Sequence, residues 1–146
     1  MTSPDAFVLR LVRWHEAQPA LRAIRHAVFV VEQNVPESLE WDAADAMSLH
    51  ALACDREGKP AGCARLLPDG HIGRVAVLAP WRHRGVGSAL LRRLVDEARQ
   101  RGDPRVVVNA QVDAMPFYAR YGFAPSGAPF IEAGIPHQEM ARLLAP

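Results

Sequence analysis

Apolar residues recur at helical spacing in two segments of the chain. The clearer one covers residues 85–100, where six apolar positions form one stripe and charged residues occupy the opposite side. The stripe consists of Val86, Leu90, Leu91, Leu94, Val95 and Ala98. A second helix is predicted to run to about Val31, with Pro19 in its first turn, where the missing N–H of proline is tolerated. The pattern therefore predicts two amphipathic helices.

Strand-like runs occupy much of the remaining chain. Two of them, residues 48–55 and 59–67, flank a turn at residues 56–58 and predict a hairpin. Further elements are predicted as strands at 7–13, 72–77 and 106–108, a short helix at 115–121 and a final hairpin within 127–144. Residues 34–47 predict an irregular loop. The order β-α-β-β-β-α-β-α-β predicts an α/β fold with a mixed sheet.

Length and charge narrow the classes of function. The chain has 146 residues, which suits one domain over residues 1–146, and its formal net charge is +1. A charge this small gives no overall field that would hold nucleic acid or an anionic membrane. No apolar run approaches the roughly 20 residues that span a bilayer, and the first residues do not follow a signal-peptide pattern. We therefore expect a cytoplasmic protein whose partners are neither nucleic acid nor membrane.

Cys54 and Cys63 are the only cysteines in the sequence. Two cysteines cannot form a structural zinc site alone, and no Cys or His spacing predicts a metal site. Because they are symmetric about residues 58–59, a hairpin there would bring them near each other. A disulfide and two buried thiols both fit, and a reducing cytosol favours the thiols.

The segment from residue 75 to residue 87 is the most informative for chemistry. It joins a strand to the clearest helix through a turn that contains Arg82, Arg84, Gly85 and Gly87. Glycines let the backbone approach a ligand, and the N–H groups of a first helical turn attract anions. A phosphate cradle and a tight turn with solvated arginines both fit these residues, since a lone G-x-G is a weak signal.

Two segments of the chain resemble the motifs of the GNAT N-acetyltransferase superfamily. Residues 82–87, RHRGVG, are similar to the Q/R-x-x-G-x-G/A acyl-CoA motif, although His83 stands where many members have glycine. Residues 117–123, FYARYGF, are similar to the F-Y-x-x-x-G-F element of the same superfamily. Residues 28–33, His50 and residues 134–140 resemble the ElaA-type branch, so the likeness covers nearly the whole chain.

The resemblance implies the GNAT acyl-CoA N-acyltransferase fold, a central mixed, mostly antiparallel sheet flanked by helices. It also implies acetyl-CoA as co-substrate and a small-molecule or peptide amine as acceptor, with no metal. Three sets of residues would bind acetyl-CoA: Val75, Ala76 and Val77 of the strand; Arg82, His83, Arg84, Gly85, Val86, Gly87 and Ser88 of the turn; and Asn109. The strand would pair with the pantetheine arm beside a splay in the sheet, and an N–H near Val77 would polarise the thioester carbonyl.

Tyr118 is the candidate for proton donation. Attack of an amine on a thioester expels a thiolate, and a phenol within reach can donate a proton to it. The alternative is that Tyr118 only packs a helix against the sheet; the family resemblance favours the general acid.

The general base has several candidates. An amine arrives mainly as ammonium and must lose a proton before it attacks. Glu32, His50 and His137 are candidates, and a water chain would serve equally well. Glu32 also fits as a polar residue at a helix end, and His50 fits as a core histidine among apolar neighbours.

The acceptor and the assembly are left open by the sequence. Four acids in the predicted loop, Glu37, Glu40, Asp42 and Asp45, would either recruit a cationic amine or lie on a solvated loop. A homodimer is typical of the resemblance, but no residue requires one. Neither cysteine is placed as an acyl carrier, which favours direct transfer in a ternary complex. The rival hypothesis is a non-catalytic module that binds acyl-CoA as a sensor or partner-binding subunit.

Overall fold

The computed structural model describes residues 6–144, in which eight strands form one sheet. The strands are β1 (Val8–Arg13), β2 (Leu49–Cys54), β3 (Pro60–Leu66), β4 (His71–Val77), β5 (Arg105–Gln111), β6 (Ala124–Pro125), β7 (Phe130–Glu132) and β8 (Ile135–Leu143). Their hydrogen-bonded order is β1-β2-β3-β4-β5-β8-β6, and β7 pairs with β8. Only the β4–β5 pairing is parallel, so the predicted mixed, mostly antiparallel sheet is confirmed.

Helices connect and cover these strands. The α-helices are α1 (Trp14–Arg25), α2 (Glu37–Glu40), α3 (Ala44–Met47), α4 (Val86–Gln100) and α5 (Met115–Ala119). A π-helical segment, His26–Glu32, continues directly from α1. α1 kinks at Ala17 (φ −140°, ψ 25°), so Pro19 lies in the first turn after the kink, as its missing donor requires. No helix within residues 6–144 has the length and apolar composition needed to cross a membrane.

The two long helices pack on opposite faces of the sheet. Leu90, Leu91 and Leu94 of α4 lie fully buried in a cluster that includes Ala51 of β2. Leu21 and Ile24 of α1 are buried in a second cluster with Leu52, the neighbour of Ala51 on that strand. Successive residues of a strand point to opposite faces, so each helix covers one side of the sheet.

The segment predicted as an irregular loop, residues 34–47, instead contains α2 and α3. Glu40 and Asp45, two of its acids, are about as buried as the apolar core, with 2% of each residue exposed. The expectation of a solvated acidic loop is therefore wrong for these two residues. Ion pairs with arginines of α1 and the sheet, described below, explain why carboxylates can be buried here.

Both cysteines carry free thiols. In the β2–β3 hairpin Cys63 lies opposite Leu52 and Cys54 lies opposite Pro60, so the hairpin does not bring them face to face. Burial raises the pKa of the Cys63 thiol to about 12, and it also raises that of Cys54. Both cysteines are therefore thiols near neutral pH, which makes them poor nucleophiles.

Candidate active site

The sheet opens between β4 and β5. These two strands pair only at His71–Val107 and Ile72–Val108, and no pairing continues between residues 73–77 and β5. The β5-side edge of β4 is therefore free of strand partners over five residues. An unpaired edge presents N–H and C=O groups to which an extended chain can hydrogen-bond. This is the splay that the family resemblance implies.

Val77 directs its backbone into this opening. Leu78 N–H donates to the carbonyl of Ala61 at 2.9 Å, while Val77 lies opposite Gly62. In an antiparallel pair of strands, hydrogen-bonded and non-hydrogen-bonded residue pairs alternate. Ala61 and Leu78 form a hydrogen-bonded pair, so Gly62 and Val77 form a non-hydrogen-bonded one. The N–H and C=O of Val77 therefore point away from β3. The carbonyl accepts a hydrogen bond from Nε of Arg82 at 3.0 Å. The N–H of Val77 is thus the polar group that faces the opening.

A β-bulge bends β4 just before this point. The β3–β4 register shifts between Cys63 and Arg65, where one residue of β3, Ala64, lies opposite two of β4, Arg74 and Val75. Arg74 lies in the bulge with φ +49°, a left-handed conformation that is uncommon outside glycine. An ion pair of the Arg74 side chain stabilises this conformation, because Nε of Arg74 lies 3.0 Å from Oε2 of Glu40. The bulge of β4 is therefore tied to α2.

Six charged residues form the network to which this ion pair belongs. The members are Arg25, Arg65, Arg74, Glu40, Asp42 and Asp45. Arg25 lies 2.8 Å from Glu40 and 2.6 Å from Asp45, and Arg65 lies 2.7 Å from Asp42. Burial alone would raise the pKa of Asp45, but hydrogen bonds and charges of Arg25 and Arg65 outweigh it and lower that pKa. The network fastens residues 34–47 to the sheet.

The turn before α4 has the conformation of an anion cradle. His83 (φ +63°) and Gly85 (φ +83°) are both left-handed, and glycine adopts this conformation without steric cost. No side chain caps the N-terminus of α4, so the N–H groups of its first turn can donate to a ligand. A cavity of about 310 Å³ lies in front of them. A Cβ on Gly87 would meet Phe117 and Val77 at 3.7 Å, so the missing side chain enlarges this cavity without being required by packing.

The two arginines of the turn have partners within the protein. Arg82 pairs with Glu32 at 2.8 Å, and both side chains are more than one-third exposed. The guanidinium of Arg84 stacks on Trp81 at 5.3 Å from the ring centroid. Ser88 accepts a hydrogen bond from the hydroxyl of Tyr121. Arg82 therefore links the π-helical segment to β4, while Arg84 is exposed.

A second cavity, of about 540 Å³, lies on the other side of α5 and is called the acceptor cavity here. Its wall includes Val75, Asn109, Tyr118 and His137 of the predicted site residues. Tyr118 is 8% exposed, and burial raises the pKa of its hydroxyl to about 12. Among residues 6–144 this hydroxyl has no hydrogen-bond partner. It is therefore a protonated donor that borders a cavity.

A hydrogen bond fixes which ring nitrogen of His137 carries the hydrogen. Its Nδ1 lies 2.6 Å from the carbonyl oxygen of Ile135, which can only accept, so Nδ1 carries the hydrogen. In the neutral ring this leaves Nε2 with a lone pair. Phe130 stacks on the imidazole with centroids 5.5 Å apart and fixes its plane.

The other two base candidates lie elsewhere. His50 is 1% exposed inside β2, and its Nε2 lies 2.9 Å from the carbonyl oxygen of Asp45. Burial lowers its pKa, and it lines neither cavity, so the structure places His50 in the core, as the core-histidine alternative expects, and does not bring it to Tyr118. Glu32 also lines neither cavity and pairs with Arg82.

Sequence reasoning missed several residues of both walls. Trp81, Phe117 and Arg120 line the cavity at the start of α4. Gln111 donates to Gln33 at 2.8 Å and joins the end of β5 to the end of the π-helical segment beside the acceptor cavity. Gln33 and Gln111 are 78 residues apart in the chain, so no local motif could have indicated their contact, whereas Phe117 and Arg120 lie within the motif at residues 117–123.

Comparison with known proteins identifies the family. Residues 15–144 match the model of the acetyltransferase (GNAT) domain. The chain therefore belongs to the GNAT acetyltransferase family and has the acyl-CoA N-acyltransferase fold.

Its relatives agree with this assignment. A Bacillus subtilis protein named as an uncharacterized N-acetyltransferase, YjcF, is 38% identical over 123 residues, which cover 82% of this chain and 87% of the relative. The crystal structure of Escherichia coli ElaA superposes with a TM-score of 0.83 at 30% identity and covers 92% of this chain and 99% of ElaA. An acyl-CoA N-acyltransferase from Pseudomonas aeruginosa superposes with a TM-score of 0.84 at 31% identity, with 94% and 99% of the two chains covered. The chain thus lies near the ElaA-like branch.

Proposed function

We propose that this protein transfers an acetyl group from acetyl-CoA to a primary amine by direct attack of the amine in a ternary complex. The observation that carries the proposal is the order of the two cavities along β4. Val77 and Phe117 line the cavity at the start of α4, whereas Val75 and Tyr118 line the acceptor cavity. Two substrates bound in these cavities would meet beside the hydroxyl of Tyr118.

The residues around the first cavity fit an acyl-CoA. The first turn of α4 offers N–H groups to a pyrophosphate, and Gly87 leaves room for it. The free edge of β4 offers N–H and C=O groups to the amides of a pantetheine arm. The N–H of Val77, directed into the opening, is available to a thioester carbonyl whose oxygen gains charge during attack. Each of these groups belongs to the backbone.

Tyr118 is assigned as the general acid. The raised pKa of its hydroxyl, about 12, keeps the phenol protonated at neutral pH. A thiolate leaving group is a much stronger acceptor than a neutral thiol, so a proton or hydrogen bond from Tyr118 stabilises it as the C–S bond breaks. The position of Tyr118 in the wall of the acceptor cavity, next in the chain to Phe117 of the other cavity, supports this role over that of a packing residue.

His137 is assigned as the general base. Nε2 of its neutral ring takes a proton from the substrate ammonium, directly or through one water, and thereby frees the lone pair that attacks the thioester. The hydrogen bond from Nδ1 to the carbonyl of Ile135 stabilises the imidazolium that forms.

The cysteines support direct transfer. A ping-pong route needs a nucleophile that carries the acetyl group between the two substrates. Cys63 is 1% exposed, burial raises the pKa of its thiol to about 12, and neither cysteine lines either of the two cavities described above. Both Cys54→Ser and Cys63→Ser are expected to retain activity.

Release of the CoA thiol in the presence of a panel of amines tests the proposed function. We expect thiol to be released only when both protein and amine are present, in an amount equal to that of the acetylated amine formed. The rival is an acyl-CoA-binding sensor or partner-binding module, which would bind acetyl-CoA but release no thiol with any amine. A raised melting temperature on addition of acetyl-CoA would report binding in both cases.

A further inference from the structure

Most charges in the wall of the acceptor cavity are already paired. Besides histidines, five charged residues line it: Glu40, Asp42, Arg65, Arg74 and Glu132. The first four belong to the six-residue network, which contains three arginines and three acids and so carries no net charge. Nε of Arg65 is buried without a hydrogen-bond partner, but its guanidinium is already paired with Asp42 and Asp45, so an acceptor with a carboxylate would find no unpaired arginine in this network.

Glu132 is the exception. Its carboxylate has no ion-pair partner within residues 6–144, and the residue is exposed at the end of β7. Side chains two apart on a strand share a face, so Glu132 lies on the same face of β7 as Phe130. Phe130 stacks on His137, and Ile135, the cross-strand partner of Glu132, also lines the cavity. The carboxylate is therefore on the cavity side of the hairpin, at its rim.

The position of Glu132 relative to His137 sets a length. Glu132 is paired with Ile135, two residues from His137 along β8, which corresponds to roughly 7 Å of strand. The wall across the cavity contains apolar side chains, Phe29, Val35 and Leu39. Methylene groups can lie against such a wall, with one nitrogen near His137 and a second charge near Glu132.

We infer that Glu132 selects acceptors that carry a second cationic group, and that the substrate class is short aliphatic diamines. The inference rests on the proposed function for the identity of the cavity as the acceptor site. An amine with a terminal carboxylate would be repelled by Glu132, and a simple alkylamine would lack the second contact.

Binding of three compounds of matched length tests this inference without turnover. Calorimetry in the presence of saturating CoA, which cannot donate an acetyl group, would measure the affinities of cadaverine, pentylamine and δ-aminovalerate. We expect the wild type to prefer cadaverine over pentylamine about two- to fivefold, as exposed ion pairs contribute, with δ-aminovalerate weakest. This preference should shrink as salt is raised to about 1 M, because the pair lies at the rim.

Glu132→Gln is expected to equalise the affinities for cadaverine and pentylamine. Glu57→Gln, which removes the same charge from an exposed turn of the β2–β3 hairpin, should keep the wild-type preference. An unchanged preference in Glu132→Gln would overturn the inference, as would a wild type that binds the three compounds equally. Acetylation assays with the same amines separately test the proposed function: a wild type that acetylates all of them without preferring cadaverine would overturn only the role of Glu132.

Discussion

The two halves of the site proposed above, one for acyl-CoA and one for the acceptor, are made from different parts of the polypeptide. The acyl-CoA half consists mainly of backbone: the free edge of β4, the N–H of Val77 and the first turn of α4. The acceptor half consists of side chains from several elements, such as Gln33, Tyr118 and His137. A surface made of backbone can recognise a constant ligand, whereas a surface made of side chains can change between relatives to suit different acceptors.

The largest effect is expected where the two halves meet. Tyr118→Phe removes one hydroxyl and little volume, so the fold and the affinity for acetyl-CoA should survive. A positioned general acid contributes about 10²–10⁴-fold, which sets the expected fall in kcat. Steady-state kinetics with a donor of low thiol pKa should show a smaller loss, since that leaving group needs less protonation. Wild-type turnover by Tyr118→Phe, with chemistry rate-limiting, would make Tyr118 a packing residue.

The acceptor half should also depend on its buried charges for stability. Arg25→Ala leaves Glu40 and Asp45 buried without their shared arginine, and we expect a loss of about 3–5 kcal/mol in the free energy of unfolding. Arg99→Ala breaks a largely exposed pair with Asp96 and should cost at most about 1 kcal/mol. Urea denaturation of both variants measures the difference. Equal losses would mean that the network does not hold this half together.

The same network predicts that the free energy of unfolding decreases at acidic pH. The pKa of Asp45 is lower in the folded protein than its ordinary value of 3.8. Such a group stabilises the fold at pH above its unfolded pKa, and the contribution disappears as the pH falls through the folded pKa. The free energy of unfolding should therefore fall below about pH 4, and Asp45→Asn should fall less steeply.

The acyl-CoA half should respond to backbone changes instead. Gly85→Ala forces a side chain into a left-handed conformation and should cost about 1–2 kcal/mol of stability. Gly87→Ala meets only ordinary contacts at 3.7 Å and should leave stability unchanged or slightly raised. Gly87→Glu should fold yet lose the rise in melting temperature that acetyl-CoA produces. If that rise persisted in Gly87→Glu, the phosphate cradle would lie elsewhere.

The smallest effect is expected at Glu32, which lies outside both cavities. Its pair with Arg82 is solvent-screened, so Glu32→Gln should change stability by less than about 1 kcal/mol. Its kcat should stay near the wild-type value, whereas His137→Gln should lose about 10²-fold or more at neutral pH. A large loss in Glu32→Gln alone would transfer the role of general base from His137 to Glu32.

The difference between the halves also explains what the sequence could predict. The strand, turn and helix around residues 75–87 are continuous in the chain, and glycine at position 85 marks a left-handed backbone locally. The amphipathic stripe of α4 and the order of strands were likewise predictable, because hydrophobic periodicity reports which face is buried.

The acceptor half could not be predicted in the same way. The apolar neighbours of His50 fit a core histidine, but nothing local shows that His137 borders a cavity: both histidines lie on strands, and the topology places one in the core and the other beside the opening. The acids of residues 34–47 looked solvated because their arginine partners, Arg25, Arg65 and Arg74, lie on other elements, 15 to 34 residues away in the chain. Burial of charge depends on such distant partners, which composition does not reveal.

A single-turnover experiment tests direct transfer most directly. Protein in excess over acetyl-CoA is mixed with an amine or with buffer, and free thiol, acetylated amine and intact protein mass are followed together. Direct transfer predicts that thiol and acetylated amine appear together, only when amine is present, and that the protein never gains the mass of an acetyl group. Thiol released without amine, with one acetyl group retained on the protein, would contradict it.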